Sequence, residues 1–172
     1  QAEMEFFVPP GEDEKWFEYW IRERHRWYLD LGIRPEKLRL FAHPKEKLAH
    51  YSKGTTDVEY EYPFGWGELE GIANRTDFDL KAHSEASGTK LEYFEPETKV
   101  HYIPYVIEPA GGVDRMALTF LIDAYAEEVV EGETRVVLRL HPRLAPVTVG
   151  VFPLVKKDGM PEQAHAIEAE LR

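Results

Sequence analysis

The sequence contains no cysteine and no long apolar run. Without cysteine, disulfide bonds and thiolate metal sites are excluded, and a reducing, cytoplasmic location is predicted. No stretch approaches 18 consecutive apolar residues and no signal-peptide pattern is visible, so we predict no membrane-spanning segment and no membrane partner. Basic residues are also outnumbered, because 21 Lys and Arg against 32 Asp and Glu give a formal net charge of −11. That balance argues against a general nucleic-acid-coating protein.

Several catalytic motifs are missing too. The seven histidines are scattered, without a His-x3-His or His-Glu-x-x-His spacing, so we interpret them as structural or surface residues rather than metal ligands. The sequence has neither the Gly-x-Ser-x-Gly motif of serine hydrolases nor a thiol nucleophile. The glycine-rich phosphate loops Gly-x4-Gly-Lys-Ser/Thr and Gly-x-Gly-x-x-Gly are absent as well.

What the 172 residues do contain is enough apolar material for a packed core, with 43% hydrophobic and 13% aromatic residues. Strand-like and helix-like patterns mix without a regular strand–helix alternation, which predicts an α+β fold with antiparallel strands. After residue 139 the sequence pattern changes: an apolar, strand-like run is followed by an amphipathic, helix-like one, which is typical of the start of a new strand–helix unit. We therefore predict one domain over 1–139 and the start of another over 140–172.

Periodicity and turn residues predict the individual elements. The charged run "RERHR" in the first helix is interpreted as a solvent-facing surface. The predicted elements are a strand at 3–8, a helix at 12–31, a strand at 37–44, a hairpin at 55–75, a short helix at 76–85, a second hairpin at 90–109, a buried helix at 112–130, an apolar strand at 147–155 and a helix at 161–172.

Acidic residues recur on the predicted strands, where a half-buried sheet face should be apolar: Glu3, Glu5, Glu68, Glu70 and Glu108. Each of the first two pairs flanks a single residue, so alternation predicts that its two members share one face. With Arg75 and Arg115, these acids suggest a charged cleft built on a sheet. Acids can bind an ammonium group or Mg²⁺, and arginines can bind phosphate or carboxylate.

The stretch "EPAGGVDRMAL" (108–118) fits such a cleft. Gly111 and Gly112 allow a ligand to approach the backbone closely. Arg115 in the first helical turn would add its charge to the helix dipole and favour an anion. The simpler alternative is an ordinary helix start with Asp114 as its N-cap.

Several stretches, in order, resemble one family. "QAEMEFF", "AHYSKGTTD", "GELEGIANRTDFDL" and "YVIEPAGGVDRMAL" resemble the catalytic core of the homodimeric class II glycyl-tRNA synthetases. "LHPRLAPVTVGVFPLVK" resembles the entry into that family's anticodon-binding domain. The resemblance runs from Gln1 to the last residue, and "GIANRTDFDL" and "EPAGGVDR" are its most specific parts.

The resemblance implies a reaction in two steps. Glycine and ATP form glycyl-adenylate and pyrophosphate, and the glycyl group then moves to the terminal ribose of tRNA(Gly). It also implies Mg²⁺ as a cofactor and a homodimer for the full-length protein. No covalent enzyme intermediate is needed, so catalysis would rest on alignment and charge stabilisation.

The resemblance also assigns residues. The glycine pocket is expected to use Glu3, Arg75, Glu108, Ala110 and Gly112. ATP is expected to contact Glu68, Leu69, Gly112, Val113, Asp114 and Arg115. Among these, Arg115 is the catalytic arginine of the third signature motif and would hold the ATP phosphates, and Glu68 is the expected Mg²⁺ contact.

Two departures qualify this assignment. Family members commonly carry Ser at the position of Ala110, and the family's first motif, with the arginine-bearing strand of its second, would precede Gln1. We therefore expect the isolated chain to be inactive. Two alternatives remain open at this stage: a non-catalytic paralogue that binds glycine or an adenylate, and a class II relative that activates another amino acid.

Overall fold

The computed structural model describes residues 1–172, which form two compact units, 1–139 and 140–172. None of the helices is long and apolar enough to cross a membrane. The first unit contains helices α1 (Asp13–Asp30), α2 (Phe78–Ser87) and α3 (Val113–Ala124), and the second contains α4 (Met160–Leu171). The strands are β1 (Ala2–Glu3), β2 (Phe6–Val8), β3 (Leu38–Ala42), β4 (Gly54–Tyr62), β5 (Gly65–Thr76), β6 (Tyr93–Glu95), β7 (Val100–Tyr102), β8 (Tyr105–Gly111), β9 (Tyr125–Val130) and β10 (Glu133–Leu138).

One antiparallel sheet organises the first unit. Its strand order is β1-β8-β5-β4-β3, and β2 also pairs with β8. The predicted 55–75 hairpin is its centre, formed by β4 and β5 with a two-residue turn between them. Two separate hairpins, β6-β7 and β9-β10, complete the strands. The predicted α+β class with antiparallel strands is confirmed.

The core lies on the face of the sheet that α1 and α3 cover. Alternate residues of the central strands, such as Val58 and Ile72, are fully buried there. Tyr60 donates a hydrogen bond to Asp123 of α3 at 2.9 Å, and Tyr28 of α1 is also fully buried. The opposite face of the sheet is therefore left for polar residues and a ligand cleft.

The first helix forms as predicted, and Gly32 follows it with a left-handed φ of 94°. Its buried Asp13 accepts hydrogen bonds from Lys53 and Asn74, which tie the helix start to the sheet. The interpretation of "RERHR" as a solvent-facing surface is wrong at Arg24. This side chain turns inward and forms an ion pair with a buried glutamate of β5.

A β-bulge in β5 separates the two acids that were predicted to share a face. Val58 pairs with Glu70 and the adjacent Glu59 pairs with Glu68, so Leu69 is an extra residue in the strand. Alternation is interrupted there, and Glu70 faces α1, where it bonds to that helix. The prediction that Glu68 and Glu70 share one face is wrong for this reason.

Three predicted elements are divided in the structure. The 3–8 strand is interrupted between β1 and β2, and the predicted 90–109 hairpin is only β6-β7, because β8 joins the main sheet instead. The predicted 112–130 helix ends at Ala124. Beyond it, β9 pairs with β10 across Glu131 and Gly132, whose φ values of 53° and 86° suit a tight hairpin turn.

The second unit contains α4, as predicted, but the predicted 147–155 strand is not formed. A strand needs a neighbour for its backbone hydrogen bonds, and no other strand lies within 140–172. Most apolar side chains of this segment are exposed, with Phe152 at 87% and Leu154 at 90%, and Val151 is half-buried. An apolar run alone therefore did not distinguish a strand from a segment without regular secondary structure.

Candidate functional site

A cleft of about 460 Å³ lies on the sheet face opposite α1. Gly71 and Ala73 of β5 form part of its floor because their neighbours Ile72 and Asn74 point to the core. The cleft is lined by Gln1, His43, Tyr51, Thr55, Asp57, Glu68, Leu69, Gly71, Ala73, Glu108, Ala110, Gly111, Gly112 and Arg115.

One end of the cleft is acidic and is organised around Arg75. The guanidinium forms two hydrogen bonds with Asp79, from Nε at 2.7 Å and from Nη2 at 3.0 Å. Its Nη1 donates to Glu108 Oε1 at 3.2 Å. The ring of Tyr51 lies over the same guanidinium, 4.1 Å from centroid to Cζ. One cation is therefore shared between two carboxylates and an aromatic face.

Glu108 is under-neutralised despite its arginine neighbour. Burial is the largest cause that raises the pKa of the Glu108 carboxyl, and the neighbouring Glu5 and Glu3 carboxyls also raise this pKa. Arg75 lowers the pKa, but the resulting value is about 7. A carboxyl in that state gains from any additional positive charge brought beside it. This end of the cleft is suited to an ammonium group.

The middle of the cleft contains a histidine–aspartate pair that the sequence did not reveal. His43 Nε2 lies 2.7 Å from Asp57 Oδ2, and Asp57 is buried at 6% exposure. The position that a Cβ would take on Gly71 lies 3.5 Å from Asp57 Oδ1 and 3.6 Å from Glu68 Oε1. The Asp57 and Glu68 carboxylates therefore both lie beside the open space above Gly71, which a longer side chain at this position would fill.

Arg115 supplies the positive charge of the cleft. The N-cap of α3 is Gly112, so the alternative with Asp114 as N-cap is wrong, and Arg115 lies in the first turn. Its Nη1 donates to the backbone carbonyl of Glu68 at 2.7 Å. Because the guanidinium is held by a carbonyl rather than a carboxylate, its charge remains available to an anion at the helix start.

The structure gathers part of the predicted site around the cleft. Leu69 is only 2% exposed, so its contribution there is from the backbone. Glu3 is exposed and pairs in register with Ala110, and its charge acts on Glu108. The predicted residues that line the cleft are Glu68, Leu69, Glu108, Ala110, Gly112 and Arg115, and those outside its lining are Glu3, Arg75, Val113 and Asp114.

The described residues contain no group of three or more His, Asp or Glu side chains arranged to hold a metal ion. The histidines were predicted not to be metal ligands on their spacing alone. A pair of carboxylates, Asp57 and Glu68, is present in the cleft. Such a pair suits a cation that takes its remaining ligands from a substrate, as Mg²⁺ commonly does with phosphates.

Comparison with known proteins agrees with the resemblance. The chain is 56% identical over 180 aligned residues to a glycine–tRNA ligase of Thermobifida fusca, covering 100% of this chain and 39% of that protein. It is 58% identical over 172 residues to the glycine–tRNA ligase of Caldanaerobacter subterraneus, covering 100% of this chain and 37% of that protein. The chain belongs to the glycine–tRNA ligase family.

The family relationship extends over the whole chain but not over the whole relatives. A glycine–tRNA ligase of Alkaliphilus oremlandii is 59% identical over 158 residues, which cover 91% of this chain and 34% of that protein. The chain thus spans between about one third and two fifths of the length of these relatives. No family model matches the chain.

Within this member of the glycine–tRNA ligase family, sequence reasoning missed the residues that support the site. Asp79 follows Arg75 by four residues, a spacing that could have suggested an ion pair across a helix start. Tyr51, His43 and Asp57 had no such signal, because their proximity depends on how β3, β4 and the loop between them are placed.

Proposed function

We propose that the complete natural polypeptide containing this chain is a glycine–tRNA ligase. It would convert glycine and ATP to glycyl-adenylate and pyrophosphate, and then transfer the glycyl group to tRNA(Gly). Residues 1–139 would be the later part of a class II catalytic domain, residues 140–172 would begin an anticodon-binding domain, and the full protein would act as a homodimer. The observation that carries the proposal is one cleft with an under-neutralised acidic end and an available arginine.

The acidic end is assigned to glycine. Glu108 and Glu3 would bind the ammonium group, and Arg75 would direct Nη1 towards the bound amino acid. Ala110 and Gly112 would supply the close backbone approach that leaves no room for a side chain. Crowding against one methyl group yields only about 1–3 kcal/mol of discrimination, and Ala110 lacks the hydroxyl that family members commonly have there.

The other end is assigned to ATP. Arg115 would contact the phosphates, assisted by the start of α3 at Gly112, Val113 and Asp114. Leu69 would contribute its backbone, and Glu68 would lie beside the nucleotide. Reaction then requires the glycine carboxylate and the α-phosphate to be held in line, with developing charge met by fixed donors.

The residues present fit a magnesium ion that is shared with substrate. Glu68, with Asp57 opposite it across Gly71, offers carboxylate oxygens, the ligand type that Mg²⁺ prefers. No third acidic or histidine ligand is arranged with them, so the remaining ligands would come from phosphates and water. When bound, Mg²⁺ would neutralise phosphate charge.

The test of the proposal is amino-acid-dependent exchange of pyrophosphate into ATP by the complete polypeptide. We expect exchange with glycine and much weaker exchange with alanine and serine. Glycine binding without exchange would support the non-catalytic paralogue instead. Exchange that depends on a different amino acid would support the other class II alternative and overturn the glycine assignment.

Replacing Arg115 with alanine should weaken ATP use far more than it weakens the fold. Loss of one preorganised donor to a developing charge typically lowers rates by about 10²–10³-fold, whereas the exposed side chain makes one hydrogen bond, to a carbonyl. The measurement is exchange kinetics at varied ATP beside thermal melting. Losses of similar size in melting and in activity would show that Arg115 is only structural.

A further inference from the structure

The Arg75 guanidinium has contacts besides the one with Glu108. Asp79 takes the Nε and Nη2 edge of the guanidinium, at 2.7 and 3.0 Å, and Tyr51 covers its face at 4.1 Å. Only 18% of the Arg75 side chain is exposed. A guanidinium gripped along one edge and one face has a single remaining nitrogen, Nη1, which points to Glu108.

The Asp79 contact also controls charge. The Asp79 hydrogen bonds raise the pKa of Arg75, and the arginine in turn lowers the pKa of Asp79. Asp79, which lies outside the cleft lining, therefore neutralises part of the Arg75 charge. The Glu108 carboxylate is then only partly neutralised by Arg75 and can still attract another cation. With Asp79 neutral, Arg75 would be free to form a full fork-shaped pair with Glu108 and to compete with an incoming ammonium group.

We propose that Asp79, together with Tyr51, is a positioning residue that orients Arg75 and so sets the affinity of the cleft for glycine. The inference rests on the proposed function. Asp79 lies outside the cleft lining and Tyr51 lies on it, but the positioning role of both requires no contact with the substrate. Both act through the orientation and the charge balance of one guanidinium, and neither was assigned by motif.

An ordinary helix-stabilising ion pair on the same helix offers a matched comparison. Asp77, the N-cap of α2, and Lys81 of that helix have the same spacing as Arg75 and Asp79, with Lys81 Nζ 2.8 Å from Asp77 Oδ2. Lys81 is 57% exposed, and neither residue lines the cleft. Such surface pairs contribute little to stability, typically below about 1 kcal/mol.

The experiment compares Asp79→Asn and Asp77→Asn in the complete polypeptide by glycine-dependent pyrophosphate exchange. For Asp79→Asn we expect the KM for glycine to rise about tenfold, with kcat and the KM for ATP changed by less than about twofold, because binding rather than chemistry is affected. Tyr51→Leu should raise the same KM by a smaller factor, and Asp79→Glu should restore part of the loss. Asp77→Asn should leave all three constants unchanged.

A second readout separates positioning from general support of the fold. Glu108 is faced by Arg75 from β5, by Glu3 of β1 and by Glu5 from the segment before β2. Release of Arg75 towards Glu108 should lower the pH at which the KM for glycine improves. An unchanged glycine KM and pH profile in Asp79→Asn, with Arg75→Ala impaired, would overturn the positioning role and leave the function intact. No glycine-dependent exchange by the wild type would overturn the function itself.

Discussion

Replacement of Glu108 by glutamine should raise the KM for glycine about 100-fold, equivalent to about 2.7 kcal/mol. The variant keeps the size of the side chain and an oxygen that can accept the Arg75 hydrogen bond. It removes the charge that would meet the ammonium group, in a position where the side chain is only 15% exposed. Glycine-dependent exchange kinetics measure the effect, and an unchanged requirement for glycine would remove Glu108 from the pocket.

The same variant should not destabilise the fold at alkaline pH. The folded-state pKa of Glu108, about 7, lies above the ordinary value of 4.5 for a glutamate carboxyl. The contribution of the protonated Glu108 carboxyl to the free energy of unfolding is therefore complete below pH 4.5. It is lost as pH rises through about 7. Wild type should lose melting temperature over that range more than Glu108→Gln does, and its KM for glycine should fall over the same range as the carboxylate forms.

Glu59 provides a matched control for both measurements. It is also a sheet glutamate with low side-chain exposure, 14%, and it accepts a hydrogen bond from Arg39 at 2.6 Å. It does not line the cleft. Glu59→Gln should leave the KM for glycine and its pH dependence unchanged. A comparable rise in KM for this variant would mean that glycine binding responds to charge anywhere on the sheet.

Replacement of Glu70 by alanine should be the most destabilising single change considered, at about 3–5 kcal/mol. Glu70 is 2% exposed and accepts hydrogen bonds from Arg24 Nε at 2.6 Å, Arg24 Nη2 at 3.0 Å and the Tyr28 hydroxyl at 2.6 Å. Its removal would leave a largely buried guanidinium and a fully buried phenol without their acceptor. Urea unfolding of wild type and variant measures the difference in free energy of unfolding.

Two further variants define the cause. Glu68→Ala changes an exposed acid two residues away in the same strand, and it should alter the free energy of unfolding by less than about 0.5 kcal/mol. The double variant Arg24→Met with Glu70→Leu should be less destabilised than Glu70→Ala, because no unpaired charge remains. A double variant that is worse than the single one would show that packing volume, not charge, is decisive.

Much of the fold could be predicted because local patterns were strong. The spacing of Trp16, Trp20 and Trp27 predicted α1, and alternation with a "PFGWG" turn predicted β4 and β5. Prediction failed where strand pairing between segments distant in the sequence decided the secondary structure. β8 left its predicted hairpin to join the main sheet, and 147–155 found no strand to pair with inside its unit.

For the candidate site, the sequence suggested charged side chains but not their neighbours. Six of the residues assigned by resemblance line one cleft, and Arg75 contacts Glu108 from just outside that lining. The Asp79 and Tyr51 contacts with Arg75, and the His43–Asp57 pair, depend on tertiary placement that spacing does not encode. The same limitation applied to Arg24. Its charged sequence neighbours predicted a solvent-facing side chain, but Arg24 turns inward to pair with the buried Glu70 carboxylate.

The extra residue at Leu69 has a consequence for how this region tolerates change. Because of this extra residue, the alternation of side chains between the two faces of the sheet shifts by one position between the two halves of β5. Substitutions alter one side chain at a time, whereas deletion of a single residue here would exchange the faces of every position on one side. Glu68 would then turn to the core, or Glu70 to the cleft. The number of residues between Gly65 and Gly71, more than their identity, therefore sets the face on which each carboxylate lies.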